Sequence, residues 1–169
     1  MCELFAMCAG HHDTAQDYLP VFADKSRANM SGWGIGFFRE GQVLIEKSCE
    51  GIYTGGHVHD SFQRLARVIG SRIIISHIRC PKAGHQKESL AQPLSDQFLD
   101  HHWLFSMTGD SPKSAAYHSA RPIVPEELMA ARVFEFVRDG MEAGMQDWPN
   151  QSLYQALAVT CKKLITDSS

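Results

Sequence analysis

The chain has 169 residues, enough for one domain with a sizeable core, and its 44% hydrophobic and 21% charged residues are ordinary for a globular protein. Its net charge is −3 and its 16 Lys and Arg residues are scattered, so nothing indicates a nucleic-acid partner. No apolar run approaches the roughly 20 residues of a membrane helix, and the N-terminus lacks the pattern of a signal peptide, so we expect a cytoplasmic protein with no membrane partner.

Cys2 follows the initiator methionine directly and is the first candidate for chemistry. If Met1 is removed, Cys2 carries both a thiol and a free α-amine. Free α-amines have a pKa of about 8, so a useful fraction is neutral at pH 7. Such a residue can use its own amine as general base, whereas Cys2 with Met1 attached has no base. Taken alone, the position is a weak signal, and a chance cysteine near the terminus is the alternative.

The first part of the chain predicts paired strands. Residues 3–9 read as a mostly buried strand. In residues 31–38, large apolar residues alternate with glycines, so the large side chains lie on one face of a strand. The glycines leave the other face bare, which lets another backbone or a ligand approach closely. Glu40-Gly41 is a turn signal, and residues 43–47 form the return strand of a hairpin.

The remaining chain predicts helices around two more strands. Apolar residues at helical spacing predict an amphipathic helix from about Asp60, with Gly70 as its stop. Residues 73–78 and 103–107 read as buried strands, separated by a loop to about residue 100. Pro125 suits the first turn of a helix, and a capping box at residues 152–155 starts the last one. No linker appears, so we expect one α+β domain over residues 1–169.

Neither the cysteines nor the histidines predict a metal site. The five cysteines are odd in number and contain no CxxC pair, which argues against a disulfide framework and a zinc knuckle. The histidines of His57-Val58-His59 could share a strand face, but no carboxylate or cysteine of suitable spacing is near in sequence. We therefore interpret them as surface or loop residues, and we expect no metal and no cofactor.

Several motifs occur together in a fixed order. They are Met1-Cys2-Glu3-Leu4, Gly32-Trp33-Gly34-Ile35-Gly36-Phe37, a strand ending in His77-Ile78-Arg79, and the stretch from Trp103 to Gly109. In this combination they resemble a class II glutamine amidotransferase domain of the small stand-alone bacterial type. The resemblance covers roughly residues 1–110. It implies the N-terminal-nucleophile hydrolase fold, an αββα sandwich of two antiparallel sheets between helix layers.

The resemblance implies an activity and assigns residues to it. The Cys2 thiolate attacks the side-chain amide of glutamine or a related γ-glutamyl amide, ammonia leaves, and water cleaves the thioester. Gly109 N–H, with Thr108, stabilises the oxyanion. Arg79 matches the arginine that holds the substrate α-carboxylate, a role that suits its planar fork. Trp33 and Gly34 shape the pocket wall. An ammonia-accepting synthase is the implied partner.

The sequence departs from the family pattern in ways that favour an alternative. Thr108 stands where the family has the asparagine that donates to the oxyanion, and losing such a donor typically costs about 2.7–4 kcal/mol of transition-state stabilisation. Residues 90–93 read Leu-Ala-Gln-Pro in place of Asn-Thr-His-Pro. Ser31 replaces an aspartate, and Glu126 or Glu127 is the nearest counterpart of the aspartate that binds the substrate amine. The alternative function is therefore a catalytically inactive relative that binds a ligand or partner.

The last expectation concerns the end of the sequence. In the family, further strands follow the last helix and complete the sandwich, whereas this sequence stops at Ser169. We expect an incomplete sandwich with unpaired strand edges and an exposed apolar face. Such a surface favours poor solubility or self-association, so a homo-oligomer is a further predicted partner.

Overall fold

The structure is a computed structural model that describes residues 2–27, 32–79, 91–109, 129–148, 150 and 152–166. The chain packs into two compact units. The first contains Met1–Asp96 and His102–Thr108, and the second contains Gln97–His101 and Gly109–Ser169. That the whole chain acts as a single domain stays a prediction.

The described elements are eight strands, interrupted by two helices, and two further helices at the end. In chain order they are β1 (Glu3–Thr14), α1 (Leu19–Lys25), β2 (Trp33–Arg39), β3 (Gln42–Ser48), β4 (Tyr53–Thr54), β5 (His57–Val58), α2 (Asp60–Val68), β6 (Gly70–Ile78), β7 (Leu94–Phe98), β8 (His101–Phe105), α3 (Met129–Asp147) and α4 (Leu153–Thr166). The predicted α+β class is thereby confirmed. Among the described residues, no helix is both long and apolar enough to cross a membrane.

A four-stranded antiparallel sheet, in the order β1-β6-β2-β3, is the frame of the first unit. The large residues of β2 (Trp33, Ile35 and Phe37) lie on one face, where α1 and α2 bury Leu19 and Phe62 against them. The Trp33 and Phe62 rings meet edge to face, with centroids 5.2 Å apart. Period-two alternation of large residues and glycine therefore directs the core to one side of the sheet.

The hairpin of β2 and β3 follows the predicted turn. Glu40 and Gly41 both have positive φ, 52° and 78°, and Arg39 pairs with Gln42 across the turn. Glycine adopts such a conformation at little steric cost, which is why Glu40-Gly41 is a useful turn signal. The predicted hairpin is confirmed.

β1 lies at an edge of the sheet, and its exposure alternates. Phe5 and Met7 pack against the core, and the Phe5 ring lies 5.8 Å from that of Phe22 on α1. Leu4 is 38% exposed and Cys8 is also exposed. The prediction of a mostly buried strand is therefore wrong, because only one face of this edge strand packs against the helices and residues 4, 6 and 8 on the other face are exposed. β1 also continues to Thr14, through a register shift between Cys8 and Asp13.

Two boundaries differ from the sequence-based expectation. Gly70 does not end α2 as a C-terminal cap. It begins β6, because Ile69 already has an extended backbone at φ −77° and ψ 115°. The segment predicted as a loop to about residue 100 contains β7, which pairs with β8. β7 has only five residues, a length at which alternation is a weak signal.

The described part of the second unit contains the helices α3 and α4. Gly140 lies where the two pack closely, since a Cβ built there would come within 2.6 Å of Thr160 Cγ2. The helix α3 continues through Gly140 to Asp147. The capping box of α4 is confirmed: Ser152 N–H donates to Gln155 Oε1 at 2.8 Å, and Gln155 N–H donates to Ser152 Oγ at 3.2 Å.

Candidate functional site

Cys2 and Arg79 lie at the same end of the four-stranded sheet. β1 and β6 are antiparallel with Glu3 opposite Ile78, so continuing the register by one residue places Cys2 opposite Arg79. The Arg79 backbone N–H donates to the Gly32 carbonyl at 2.9 Å, which extends the pairing of β6 with β2 in the same direction. The predicted nucleophile and the predicted carboxylate anchor therefore sit on adjacent strand ends.

A buried histidine lies beside this pair. His77 is two residues before Arg79 and opposite Gly34, so its side chain shares their face of the sheet. Burial, together with the nearby Arg79 charge, lowers the pKa of His77 to about 4. Within the described part of the chain, neither ring nitrogen has a hydrogen-bond partner. The imidazole is consequently neutral at pH 7, and Arg79, itself only 7% exposed, supplies the positive charge.

Thr108 contacts Cys2 directly. Its hydroxyl donates to the Cys2 carbonyl oxygen at 3.0 Å, although 106 residues separate them in sequence. The structure thus brings together two of the predicted catalytic residues. Gly109 follows with φ +107°, a backbone conformation that strongly favours glycine. Gly109 belongs to the second unit, and its role as an oxyanion donor to the Cys2 centre stays a prediction.

Trp33 and Gly34, predicted together at the pocket wall, lie on opposite faces of β2. The Trp33 side chain is 2% exposed and packs in the core against Phe62 and His59. Gly34 lies on the face of His77 and Arg79. The structure therefore groups Gly34 with the candidate site and places the Trp33 side chain among the helices of the first unit.

Gln92 is a site residue that sequence reasoning missed. Its backbone carbonyl packs on Gly34 so closely that a Cβ built at Gly34 would lie 2.2 Å from the oxygen. Its side-chain Oε1 accepts hydrogen bonds from Met107 N–H at 2.7 Å and from Ser106 Oγ at 3.1 Å. The bare glycine face of β2 predicted the close approach of another backbone or a ligand. The structure shows a backbone there, and the sequence did not indicate which segment supplies it.

Several sequence-based expectations concern residues that the structure does not describe. Ser31, Leu90, Glu126 and Glu127 lie outside the described residues, as do Met1 and Pro125. Of the departures from the family pattern, only Thr108 and residues 91–93 can be placed.

The paired histidines engage separate carboxylates. His57 Nε2 lies 3.7 Å from an Asp60 oxygen, and His59 Nε2 lies 2.5 Å from Glu50 Oε2. His59 Nδ1 also accepts from Ser61 N–H at 3.2 Å, so this ring caps α2. Across the described ranges, no group of three or more His, Cys, Asp or Glu side chains is arranged to hold a metal ion.

Comparisons with known proteins give a family and a similar fold. The family model of class II glutamine amidotransferases matches residues 1–125. The fold is similar to a crystal structure, at 2.0 Å, of a predicted glutamine amidotransferase from Pseudomonas aeruginosa PA01, with a TM-score of 0.55 and 17% sequence identity. That match covers 96% of this chain, which spans 64% of the length of the Pseudomonas protein. A comparison with curated proteins found none that matches.

These findings differ in what they establish. At 17% identity, the structural likeness shows the fold alone. The family match covers well over half of the sequence and includes Cys2, Gly34, Arg79 and Thr108. The chain therefore belongs to the class II glutamine amidotransferases.

Proposed function

We infer that the chain hydrolyses the side-chain amide of glutamine, or of a related γ-glutamyl compound, with Cys2 as an N-terminal nucleophile. The observation that carries this inference is the position of Cys2 opposite Arg79 at one end of the sheet, in a chain of this family. A nucleophile and a carboxylate anchor on adjacent strand ends suit a short substrate that carries an amide at one end and a carboxylate at the other.

The reaction begins once Met1 has been removed. The neutral α-amine of Cys2 takes the thiol proton, and Sγ bonds to the amide carbon while the carbonyl electrons move to the oxygen. Collapse of this oxyanion expels the nitrogen, which takes the proton from the amine and leaves as ammonia. Water then attacks the thioester carbonyl and releases the acid and the thiol. Gly109 N–H is the proposed oxyanion donor.

Arg79 is the proposed substrate anchor. The guanidinium of an arginine is planar and positively charged, so it can pair with a carboxylate through two parallel hydrogen bonds. Its backbone is tied to Gly32, and its side chain is largely excluded from water, where charge-assisted hydrogen bonds are stronger than in bulk water. The proposal includes cytoplasmic glutamine as the substrate and a synthase that accepts the ammonia.

The decisive experiment measures ammonia release from glutamine by protein whose loss of Met1 has been verified by intact mass. Cys2→Ala is expected to abolish turnover and to prevent the single adduct that a glutamine-analogue electrophile leaves on the wild type. Cys8→Ala is the matched control, because Cys8 is an exposed thiol on β1, the strand that follows Cys2. Ammonia release by the Cys2→Ala variant would refute the proposal. Glutamine binding without ammonia release by the processed wild type would instead favour an inactive relative.

Arg79 has its own test. Arg79→Lys keeps the charge but loses the bidentate geometry, so KM is expected to rise by roughly 10- to 100-fold, since hydrogen bonds to charged groups contribute about 1.5–3 kcal/mol. An unchanged KM would contradict the role of Arg79 as the anchor.

A further inference from the structure

We propose that Thr108 and Gln92 are positioning residues that hold Cys2 in place, and that Thr108 is not a donor to the oxyanion. This inference rests on the proposed function, because it assigns how the nucleophile of that reaction is oriented. It reassigns Thr108, whose place in the sequence suggested a donor. The carrying observation is the 3.0 Å hydrogen bond from the Thr108 hydroxyl to the Cys2 carbonyl.

The Thr108 hydroxyl has a single proton to donate. A threonine hydroxyl carries one proton, so it donates one hydrogen bond at a time. Here that proton is directed to the Cys2 carbonyl oxygen. An asparagine amide, by contrast, has two donor hydrogens and could serve both Cys2 and an oxyanion. Thr108 in this arrangement holds the residue that reacts and leaves the oxyanion to other donors.

The hydrogen bond from Thr108 restrains the orientation of Cys2. The carbonyl, the α-amine and the thiol-bearing Cβ of Cys2 all branch from, or lie next to, one Cα. A fixed carbonyl restricts rotation about the Cα–C bond, and thereby the direction in which the amine and the thiol face the substrate. Reaction rates depend steeply on such orientation.

Thr108 is itself held in place through Gln92. The preceding residues, Ser106 and Met107, both donate to Gln92 Oε1. The Gln92 backbone is in turn pressed against Gly34 of β2, a strand inside the sheet. A continuous series of contacts therefore runs from β2 through Gln92 and residues 106–108 to the Cys2 carbonyl, all of it within the first unit.

The experiment compares Thr108→Val, Thr108→Ser and the wild type in two assays on protein lacking Met1. The first assay is the rate of Cys2 alkylation by iodoacetamide across pH 6–9, followed by peptide mass spectrometry, which separates the Cys2 adduct from adducts on the exposed Cys8 and Cys49. This displacement forms no oxyanion on a bound substrate, so it reports the thiol and its amine alone. The second assay is ammonia release from glutamine.

A positioning role predicts that Thr108→Val changes the alkylation rate or its pH profile by roughly two- to tenfold, in line with one net hydrogen bond, and lowers kcat with KM little changed. Thr108→Ser keeps the hydroxyl and is expected to restore both. An unchanged alkylation profile in Thr108→Val would overturn the proposal, whether or not turnover falls. Because alkylation needs no turnover, a wild type that releases no ammonia would count against the proposed function alone.

A matched control and a second variant complete the design. Thr54→Val removes a comparable hydroxyl-to-carbonyl hydrogen bond, to Gly51 at 3.3 Å, in the same unit but in the separate β4–β5 sheet. It is expected to leave alkylation unchanged. Gln92→Met removes the acceptor and is expected to raise amide hydrogen exchange at Met107 and to change Cys2 alkylation in the same direction as Thr108→Val. Faster exchange at Met107 with unchanged Cys2 alkylation would exclude Gln92 from the positioning role.

Discussion

Gly34→Ala is the substitution that tests the packing of the candidate site most directly. The added Cβ would lie 2.2 Å from the Gln92 carbonyl oxygen, 3.1 Å from its carbon and 3.2 Å from Pro93 Cδ. Ordinary contact begins near 3.4 Å, so the Gln92 backbone must retreat by roughly 1 Å. Overpacking of this kind typically costs about 1–3 kcal/mol, and the upper end applies because the obstacle is backbone.

Displacement of the Gln92 backbone also disturbs the hydrogen bonds of Gln92 with residues 106 and 107. It thereby disturbs the hydrogen bond from Thr108 that positions Cys2. A displacement of about 1 Å near reacting groups can lower turnover by about 100-fold. We therefore expect Gly34→Ala to lose stability by about 2–3 kcal/mol in urea denaturation and to lose most of its ammonia release. Gly10→Ala is the matched control, since a Cβ at Gly10 of β1 meets nothing within 4 Å. Equal unfolding midpoints for Gly34→Ala and Gly10→Ala would refute the reasoning.

Two further predictions concern stability and association. Burial lowers the pKa of His77 from 6.5 to about 4, so the free energy of unfolding is highest above pH 6.5 and falls by up to about 3 kcal/mol as the pH drops through 4. In urea unfolding, His77→Leu should lose less stability in acid than the wild type does. Equal acid sensitivity of wild type and variant would contradict this prediction. Leu4 on edge strand β1 and Ile73 on the adjacent strand β6 lie on the same face of the sheet and are 38% and 37% exposed. This face should cause concentration-dependent self-association. Light scattering should show that Ile73→Lys reduces it and Val68→Lys on α2 does not; a wild-type monomer at high concentration would argue against it.

The features that the sequence predicted well are those with local physical causes. The β2–β3 hairpin follows from alternation and from the Glu40-Gly41 turn, and the capping box of α4 from two side chains three residues apart. Each depends on neighbours in sequence, so a single sequence contains enough information. At Gly70 the local sequence was compatible with the end of a helix and with the start of a strand. In the structure Gly70 begins β6.

The features that the sequence could not predict depend on long-range contacts. Thr108 reaches Cys2 across 106 residues, and Gln92 packs on Gly34 through backbone atoms that carry no side-chain signal. The segment containing Gln92 read as a loop whose polar residues had been replaced. In the structure, its glutamine supplies the acceptor for two donors on the neighbouring segment. The glutamine at position 92, which in the sequence looked like the loss of a polar family residue, thus makes a structural contact in the fold.

The alternation of large residues and glycine in β2 links the core to the candidate site. Trp33, Ile35 and Phe37 fix the strand against the helices, since their side chains are buried on that face. Gly34 and Gly36 face the other way and admit Gln92 and Pro93, with Leu104 packed beside Gly36. Any movement of the large residues therefore shifts the surface on which Gln92 rests. The motif acts on the site by packing: its tryptophan secures the strand, and its glycines set how near the segment that holds Thr108 and Cys2 can approach.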